Sequence, residues 1–572
     1  MAWPLPSVDE AWQLLEDAQI RSQYQVAHVL AYPNVGTWAC RLLRRFQGLV
    51  DGDWPLWVEI GYLHSIAAAS AARAGMNFRI KLVLHEGLVT LPTLGRALLH
   101  DCQGWETVVA IFENSSLRLE SDAGITEISR PLIEDRNGWE SLRCIRVESA
   151  SRTLTLVIDD IDPYRVMGGP VPADRLDHDQ LIQWNILISQ AWDLLNEVDP
   201  DYARALASGV RTLVPLGSTE PHQYLSGSSS EALGCLASST PVNAAQLSAT
   251  LVHEFQHMKL NGLIRLTDLY SDTSADLFYA PWRDDPRPLG ALLHGIYAFF
   301  GVTRFWRAYA RSAPGPEKRI AYFEFALWRE QTREAALAIR RSPQLTARGQ
   351  CVIENLLQAM NSWVDEPVPS DLLNLSQAAA ADHLVGWRIR HLRPPDQSVS
   401  LLADAWRAGR KYPIGDVFAP STLEPDTSHT CLDGRASLIR IRLRSANSSE
   451  VPAMSSESYE AYPGLTYADL VYTHGNLSHA HGMYLERLRH NPGDSDSWTG
   501  LRLTLNATAN AHRPLASWIL FERPELVCAV ARNVAASTKD APDPLSLAEW
   551  LGTVFERQCG RGRVKDHSST DY

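Results

Sequence analysis

The five residues His253-Glu254-Phe255-Gln256-His257 combine side-chain type and spacing in a way that prescribes chemistry. On an α-helix, residues four apart lie one above the other on a single face, so both imidazoles can reach one ion held about 2.0–2.2 Å from each nitrogen. The spacing therefore predicts a metal site on a helix. In zinc peptidases that carry this pattern the glutamate activates a metal-bound water, which would make Glu254 a general base. A pair of satisfied structural histidines is the competing reading of the same residues.

The elements that must position these side chains are legible around them. Asn243 is placed to cap the helix, Ala, Leu, Gln and Met fill it, and Leu247, Leu251 and Phe255 recur at the spacing of a core-facing stripe. A Ser/Gly-rich stretch over 224–240 precedes it and reads as a loop. A Pro-rich loop follows, and His294 opens the next predicted helix. The peptidase patterns do not continue. Leu260 and Leu263 stand where metzincins have glycine and a third histidine, and the first glutamate after the motif is Glu317, in a Pro/Gly loop. A zinc metallopeptidase using Glu254 is an alternative with no second supporting motif.

The combination of HEFQH, the run Tyr279-Ala280-Pro281-Trp282-Arg283-Asp284-Asp285-Pro286-Arg287-Pro288, then Leu292-Leu293-His294-Gly295-Ile296-Tyr297-Ala298-Phe299 and Phe305-Trp306 resembles the bacterial HExxH-domain family of peptide-modifying enzymes. The resemblance is dense over 247–306, touches Leu91-Pro92-Thr93-Leu94-Gly95-Arg96, and extends loosely to about residue 390. It implies an iron(II)- and 2-oxoglutarate-dependent peptide β-hydroxylase, with a fold other than the cupin barrel. The implied substrate is a ribosomally made precursor peptide of a natural-product pathway, and the implied partner is a radical peptide-modifying enzyme of the same pathway.

Iron that binds 2-oxoglutarate and O₂ needs three protein ligands on one face of an octahedron. His253 and His257 supply two, and His294 is the expected third, with Asp272, Asp276 and Asp284 as carboxylate alternatives. The distal carboxylate of 2-oxoglutarate suits a planar guanidinium with paired donors, and Arg283 and Arg287 are the candidates, unless they staple their own loop by pairing with Asp284 or Asp285. Glu254 would then orient a ligand or substrate instead of acting as a base. A third reading is a non-catalytic, metal-stabilised peptide-binding partner of a modification complex.

Composition narrows the classes further. The 572 residues include 53 Lys+Arg and 66 Asp+Glu, a formal charge of −13, which argues against phosphate-neutralising nucleic-acid binding and against general attraction to anionic membranes. No apolar window of about 18 uncharged residues occurs, and Met1 to Asp17 lacks the basic start of a secretion signal, so the expected location is cytoplasmic. Eight dispersed cysteines without a CxxC pair fit reduced, packed thiols.

Helical periodicity over 10–48, 56–74 and 177–207 frames short Val/Ile/Thr-rich runs at 107–119, 125–132, 142–148 and 153–158, which predict an antiparallel sheet, with one more strand at 210–215. The segment 82–99, broken by Gly87 and Pro92, reads as a short strand or turn followed by a helix. The expected fold class is α+β: a mostly helical, non-cupin catalytic domain with an antiparallel sheet over 1–395, and a mainly helical region over 396–572. Residues 467–488 and 497–509 resemble a tetratricopeptide-type helical hairpin, and the polar tail 560–572 is expected to fray.

Overall fold

The computed structural model describes residues 4–99, 104–122, 124–129, 131–217, 224–271, 274–426, 431–444, 464–507, 513–538 and 541–563. The architecture is α+β. The chain divides into two compact units, Met1–Leu266 and Thr267–Tyr572.

The first unit opens with four helices, α1 (Val8–Arg21), α2 (Gln23–Leu30), α3 (Pro33–Phe46) and α4 (Leu56–Arg73). Seven strands follow, β1 (Phe78–His85), β2 (Leu88–Leu91), β3 (Gly95–Leu98), β4 (Trp105–Glu113), β5 (Ser116–Ser121), β6 (Gly124–Ile128) and β7 (Trp139–Ser141). They form an antiparallel sheet in the order β6-β5-β4-β1-β2-β3-β7. Along β1, Phe78, Ile80, Leu82 and Leu84 turn inward and Arg79 and Lys81 outward, as the two-residue period of a half-covered strand requires. The small residues of α4 let it lie close to this sheet: a Cβ on Gly61 would fall 2.3 Å from the Val83 side chain.

The helix expected within 82–99 does not form. Pro92-Thr93-Leu94 makes a tight turn between β2 and β3, with the Leu94 N–H donating to the Leu91 carbonyl at 3.0 Å and Thr93 at φ 68°. Gly95, at φ 152°, lies so close to β7 that a Cβ would sit 2.2 Å from the Glu140 carbonyl oxygen. The apolar residues here are spaced for strand pairing and have too few positions between turns to build a helix.

The unit continues with β8 (Arg143–Ser149), β9 (Arg152–Ile158), α5 (His178–Val198), α6 (Pro200–Gly209), β10 (Thr212–Leu216), β11 (Ser226–Ser228), β12 (Cys235–Ser239) and α7 (Ala244–Leu266). Their five-stranded sheet, β11-β12-β10-β9-β8, is mixed: β10 runs parallel to β9 and β12, and both outer pairs are antiparallel. Tyr32 and Asn34 donate to the buried Asp159 carboxylate, and Tyr62 donates to Asp162 at 2.6 Å, fixing the N-terminal helices to the loop that leaves β9. Burial raises both aspartates above the usual carboxylate range, and the Asp159 charge raises Asp162 further.

The second unit contains β13 (Leu277–Phe278), β14 (Arg287–Pro288), α8 (Leu289–Ser312), α9 (Gly315–Ile339), α10 (Ala347–Val364), α11 (Ser370–His391), β15 (Leu392–Arg393), α12 (Asp396–Arg407), β16 (Thr422–Leu423) and α13 (Gly434–Arg444). Six further helices span 467–473, 477–490, 495–507, 514–522, 524–538 and 544–563. The helical hairpin is present as 477–490 and 495–507, its expected first arm broken at 474–476, and the final helix reaches into the expected tail, whose residues 564–572 lie outside those described.

The compact units part at 266/267, not near the Pro394-Pro395 pair. α11 spans that expected boundary in packing terms: Leu372 and Ala379 join a core with Ile320 and Phe323, and Val385 and Ile389 join the C-terminal core with Val399 and Leu402. The two prolines lie between β15 and α12, where Pro395 is the residue before the first turn; they do not end a core. No described helix is long and apolar enough to cross a membrane.

Leu251, fully buried on α7, and Leu266, 85% exposed at its end, separate packing from propensity. Leu251→Ala is expected to lower unfolding stability by about 2–5 kcal/mol, and Leu266→Ala by no more than about 0.5 kcal/mol, measured by urea denaturation.

Candidate metal centre

α7 forms where the sequence expects it and for the expected reasons. The Asn243 side chain accepts from the Gln246 N–H at 2.9 Å, and the Gln246 side chain reaches back to the Val242 N–H at 2.9 Å, so the first turn is capped from both directions. Leu247, Leu251 and Phe255 are buried. Phe255 lies over Gly209, where a Cβ would fall 2.4 Å from the ring, and meets Tyr202 edge-on at 5.8 Å.

The apolar stripe leaves Thr250, His253, Glu254 and His257 on another face, at positions separated by three and four residues. His253 Nε2 and His257 Nε2 stand 3.0 Å apart, with ring planes at 82°. Two nitrogens at this separation are compatible with one shared proton. They are equally compatible with one ion: at about 2.1 Å per bond the angle at the ion is about 90°, the cis angle of an octahedron, whereas a tetrahedral site would open the nitrogens to about 3.4 Å. Burial pushes the His253 imidazole down to about 4, so near neutrality it is an uncharged ring with a lone pair to offer.

Glu254 is 1% exposed, and both carboxylate oxygens are occupied. Ser226 Oγ donates to one at 2.8 Å and Ser228 Oγ to the other at 2.7 Å. These serines sit two apart on β11, on one side of the strand, as the period of a strand requires. Behind them the Tyr224 hydroxyl bridges Ser238 Oγ at 2.9 Å and Thr250 Oγ1 at 2.7 Å, and burial raises this phenol above its usual range. The stretch read as a loop from its composition thus holds two strands, and Ser226 and Ser228 are the site residues that sequence reasoning missed. The alternating Ser226-Gly227-Ser228 was the available signal.

The remaining predicted residues lie in the second unit. His294 is on the second turn of α8, partly buried, and burial lowers its imidazole below the ordinary value. Its neighbour Gly295 is required by packing: a Cβ there would fall 2.2 Å from the Trp282 ring, which itself stacks on Phe299 at 4.7 Å. The structure brings His253 and His257 together. Among the described residues no group of three or more His, Cys, Asp or Glu side chains that could hold a metal ion is found. Of the carboxylate alternatives, Asp276 accepts from Gln344 Nε2 at 3.1 Å and Asp284 accepts from the Leu432 N–H at 3.3 Å; Asp272 lies outside the described residues.

Arg283 and Arg287 both pair with Asp285, at 3.0 and 2.9 Å, so they staple the loop through that residue and not through Asp284. Burial opposes the charge on Asp285, but the Arg283 hydrogen bond and the two guanidinium charges outweigh it and hold the carboxyl below its usual range. Each arginine spends a single donor on this pairing, and a guanidinium has five. Arg287 is the more sheltered, 35% exposed against 52% for Arg283. The loop is anchored at its start by Tyr279, whose hydroxyl is 2.8 Å from His383 Nδ1 on α11.

No protein-family model matches the chain, and no curated protein matches it.

Ser228→Ala removes one of two hydroxyls from a buried carboxylate and is expected to cost about 1.5–3 kcal/mol, read as a lowered melting temperature, whereas Ser228→Thr should keep most of it. A second outcome concerns pH. Burial holds the His383 imidazole down at about 4 against the pull of Asp433, so the unfolded chain takes up a proton at this residue through the ordinary range near 6.5 and the folded chain does not. The stability it contributes is complete above about pH 6.5 and drains towards pH 4, by up to ~1.4 kcal/mol per unit. Denaturation midpoints across that window should fall less steeply in His383→Gln.

Proposed function

We propose that this chain is an iron(II)- and 2-oxoglutarate-dependent hydroxylase acting on a side-chain Cβ of a ribosomally made peptide. The observation that carries the reading is the pair of imidazole nitrogens 3.0 Å apart beside a glutamate whose two oxygens are already taken by serine hydroxyls. The first half supports a cis pair of octahedral ligands. The second half favours a positional role for Glu254, which is 1% exposed and held by a serine hydroxyl at each oxygen.

His253 and His257 would hold the metal, and His294 is the proposed third protein ligand. When bound, iron with 2-oxoglutarate and O₂ supplies an oxidative decarboxylation to succinate and CO₂ that places one oxygen atom into a C–H bond. The protein's own contribution is positional. The capped, core-packed helix fixes the two rings against each other, and the low affinity of His253 for protons keeps its lone pair available. Glu254, locked between Ser226 and Ser228, fixes the rotation of the helix face that presents the histidines. Arg287, with Arg283, is the proposed anchor for the distal carboxylate of 2-oxoglutarate, using donors that Asp285 leaves unused.

The test is incubation with iron(II), ascorbate, 2-oxoglutarate and synthetic peptides translated from short reading frames beside the gene. Succinate and a peptide heavier by one oxygen atom are expected, and His253→Ala should abolish both together with bound iron. Glu254→Gln should keep a tenth or more of the turnover, since an amide can still pair with both serines. Shortened peptides, with a loss of about 10²–10⁴-fold in Glu254→Gln, would instead assign a zinc peptidase. Peptide binding untouched by His253→Ala and no turnover at all would leave a non-catalytic partner.

A further inference from the structure

The second unit contains a cleft of about 1140 Å³ between α9, α11, α13 and the helices 467–473, 477–490 and 495–507. In a chain of formal charge −13, the described residues that line it include three arginines, Arg319, Arg442 and Arg502, against one acid, Asp371. That acid is already committed, because Arg319 donates to it at 2.6 Å. Arg442 donates to the Thr473 carbonyl, which carries no charge.

Arg502 is the telling residue. Its guanidinium lies 4.6 Å over the Phe521 ring, which fixes its plane. Its Nε is buried and, among the described residues, has no hydrogen-bond partner. Asp382 is the acid whose field reaches it, and Asp382 is spent on Arg435 at 2.6 Å. A partly buried cation without a counter-ion costs free energy that a ligand carboxylate would return.

The rest of the lining describes the ligand that brings the carboxylate. Asn374 and Gln377 stand three apart on one face of α11, and each amide both donates and accepts, which matches the alternating N–H and C=O of an extended backbone. Leu375, Leu443 and Leu503 supply apolar contact. The volume lies above the range of about 300–1,000 Å³ typical of small-molecule sites, far more than a lone dicarboxylate fills.

We propose that this cleft binds an extended acidic peptide segment, with side-chain carboxylates on Arg442 and Arg502 and backbone groups on Asn374 and Gln377. The inference stands without the hydroxylase reading. On that reading the occupant is a recognition segment of the precursor peptide.

Fluorescence anisotropy on the full-length, chelator-treated protein tests it, with a fluorescein-labelled peptide of alternating Glu and Leu as the probe and Gln/Leu and Lys/Leu peptides as comparisons. The acidic peptide should bind saturably and more weakly as salt rises. Arg502→Gln and Arg442→Gln should each weaken it about tenfold or more, as expected for losing a charged hydrogen bond, with melting temperatures near that of the parent; two variants guard against one that fails to fold. Equal binding of the Gln/Leu peptide, or affinity unchanged in both variants, overturns the proposal. So does full displacement by equimolar inorganic pyrophosphate, which would assign the cleft to small phosphorylated anions. No iron or 2-oxoglutarate is present, so the outcome is independent of whether succinate forms in the turnover assay.

Discussion

Two imidazole nitrogens cannot face each other at 3.0 Å with both lone pairs unshared. Something positive must lie between them, either a proton carried by one ring or a metal cation bound by both. The chain enforces this confrontation through the helix: residues four apart on α7 cannot separate their side chains without leaving their rotamers, and the rotation of the helix is fixed by Leu247, Leu251 and Phe255 in the core. Burial lowers the affinity of His253 for protons, so acidification is a poor way to satisfy the pair with a second proton. A divalent cation would satisfy both lone pairs at once, which is the ground for proposing a metal there.

Glu254 constrains the same helix from the neighbouring direction. A carboxylate at 1% exposure must find donors in the protein, since water does not reach it. Those donors come from β11, which forms only because β12 pairs with it along Ser226–Ser238, Gly227–Ala237 and Ser228–Leu236, and β12 in turn lies parallel to β10. The position of the histidines thus depends on a strand of three residues with almost no apolar content. A conventional core would not have specified it; the hydrogen-bond demand of one buried acid does.

The helices of the fold were readable because their apolar residues recur at helical spacing, and α7 was readable down to its Asn243 cap. The alternation in β4, β8 and β9 was equally plain, whereas β1 was legible only from residue 82, as a short strand or turn, and β5 was merged with β4. Three features were hidden. The turn at Pro92 to Gly95 depends on a close approach to β7 that local sequence does not encode. β11 and β12 were concealed by serine and glycine, whose strand propensity is low and whose pairing is imposed by the sheet and by Glu254. The Pro394-Pro395 pair carried the composition of a boundary, yet α11 packs on cores to both sides of it. Of the site, His253, His257 and Glu254 were legible as a motif, and so was the staple alternative for Arg283 and Arg287, but the choice of Asp285 over Asp284 was not: it depends on Asp284 being engaged by the Leu432 N–H and, through its carbonyl, by His391 at 2.6 Å.

Satisfaction of buried polar groups separates scaffolding from recognition across the molecule. Asp159 accepts from Tyr32, Asn34 and two backbone N–H groups, and Asp162 from Tyr62 and the Tyr164 N–H; Arg435 spends its donors on Asp382, Asp469 and a carbonyl. Such closed networks ask nothing of a ligand, and their acids and bases are accounted for by folding alone. Arg502 differs in kind. Its plane is fixed by an aromatic ring, its Nε is buried with no partner among the described residues, and Asp382 and Asp371 are already paired. The fold has spent its constraints on holding this guanidinium still over Phe521 while leaving a buried donor with no partner among the described residues.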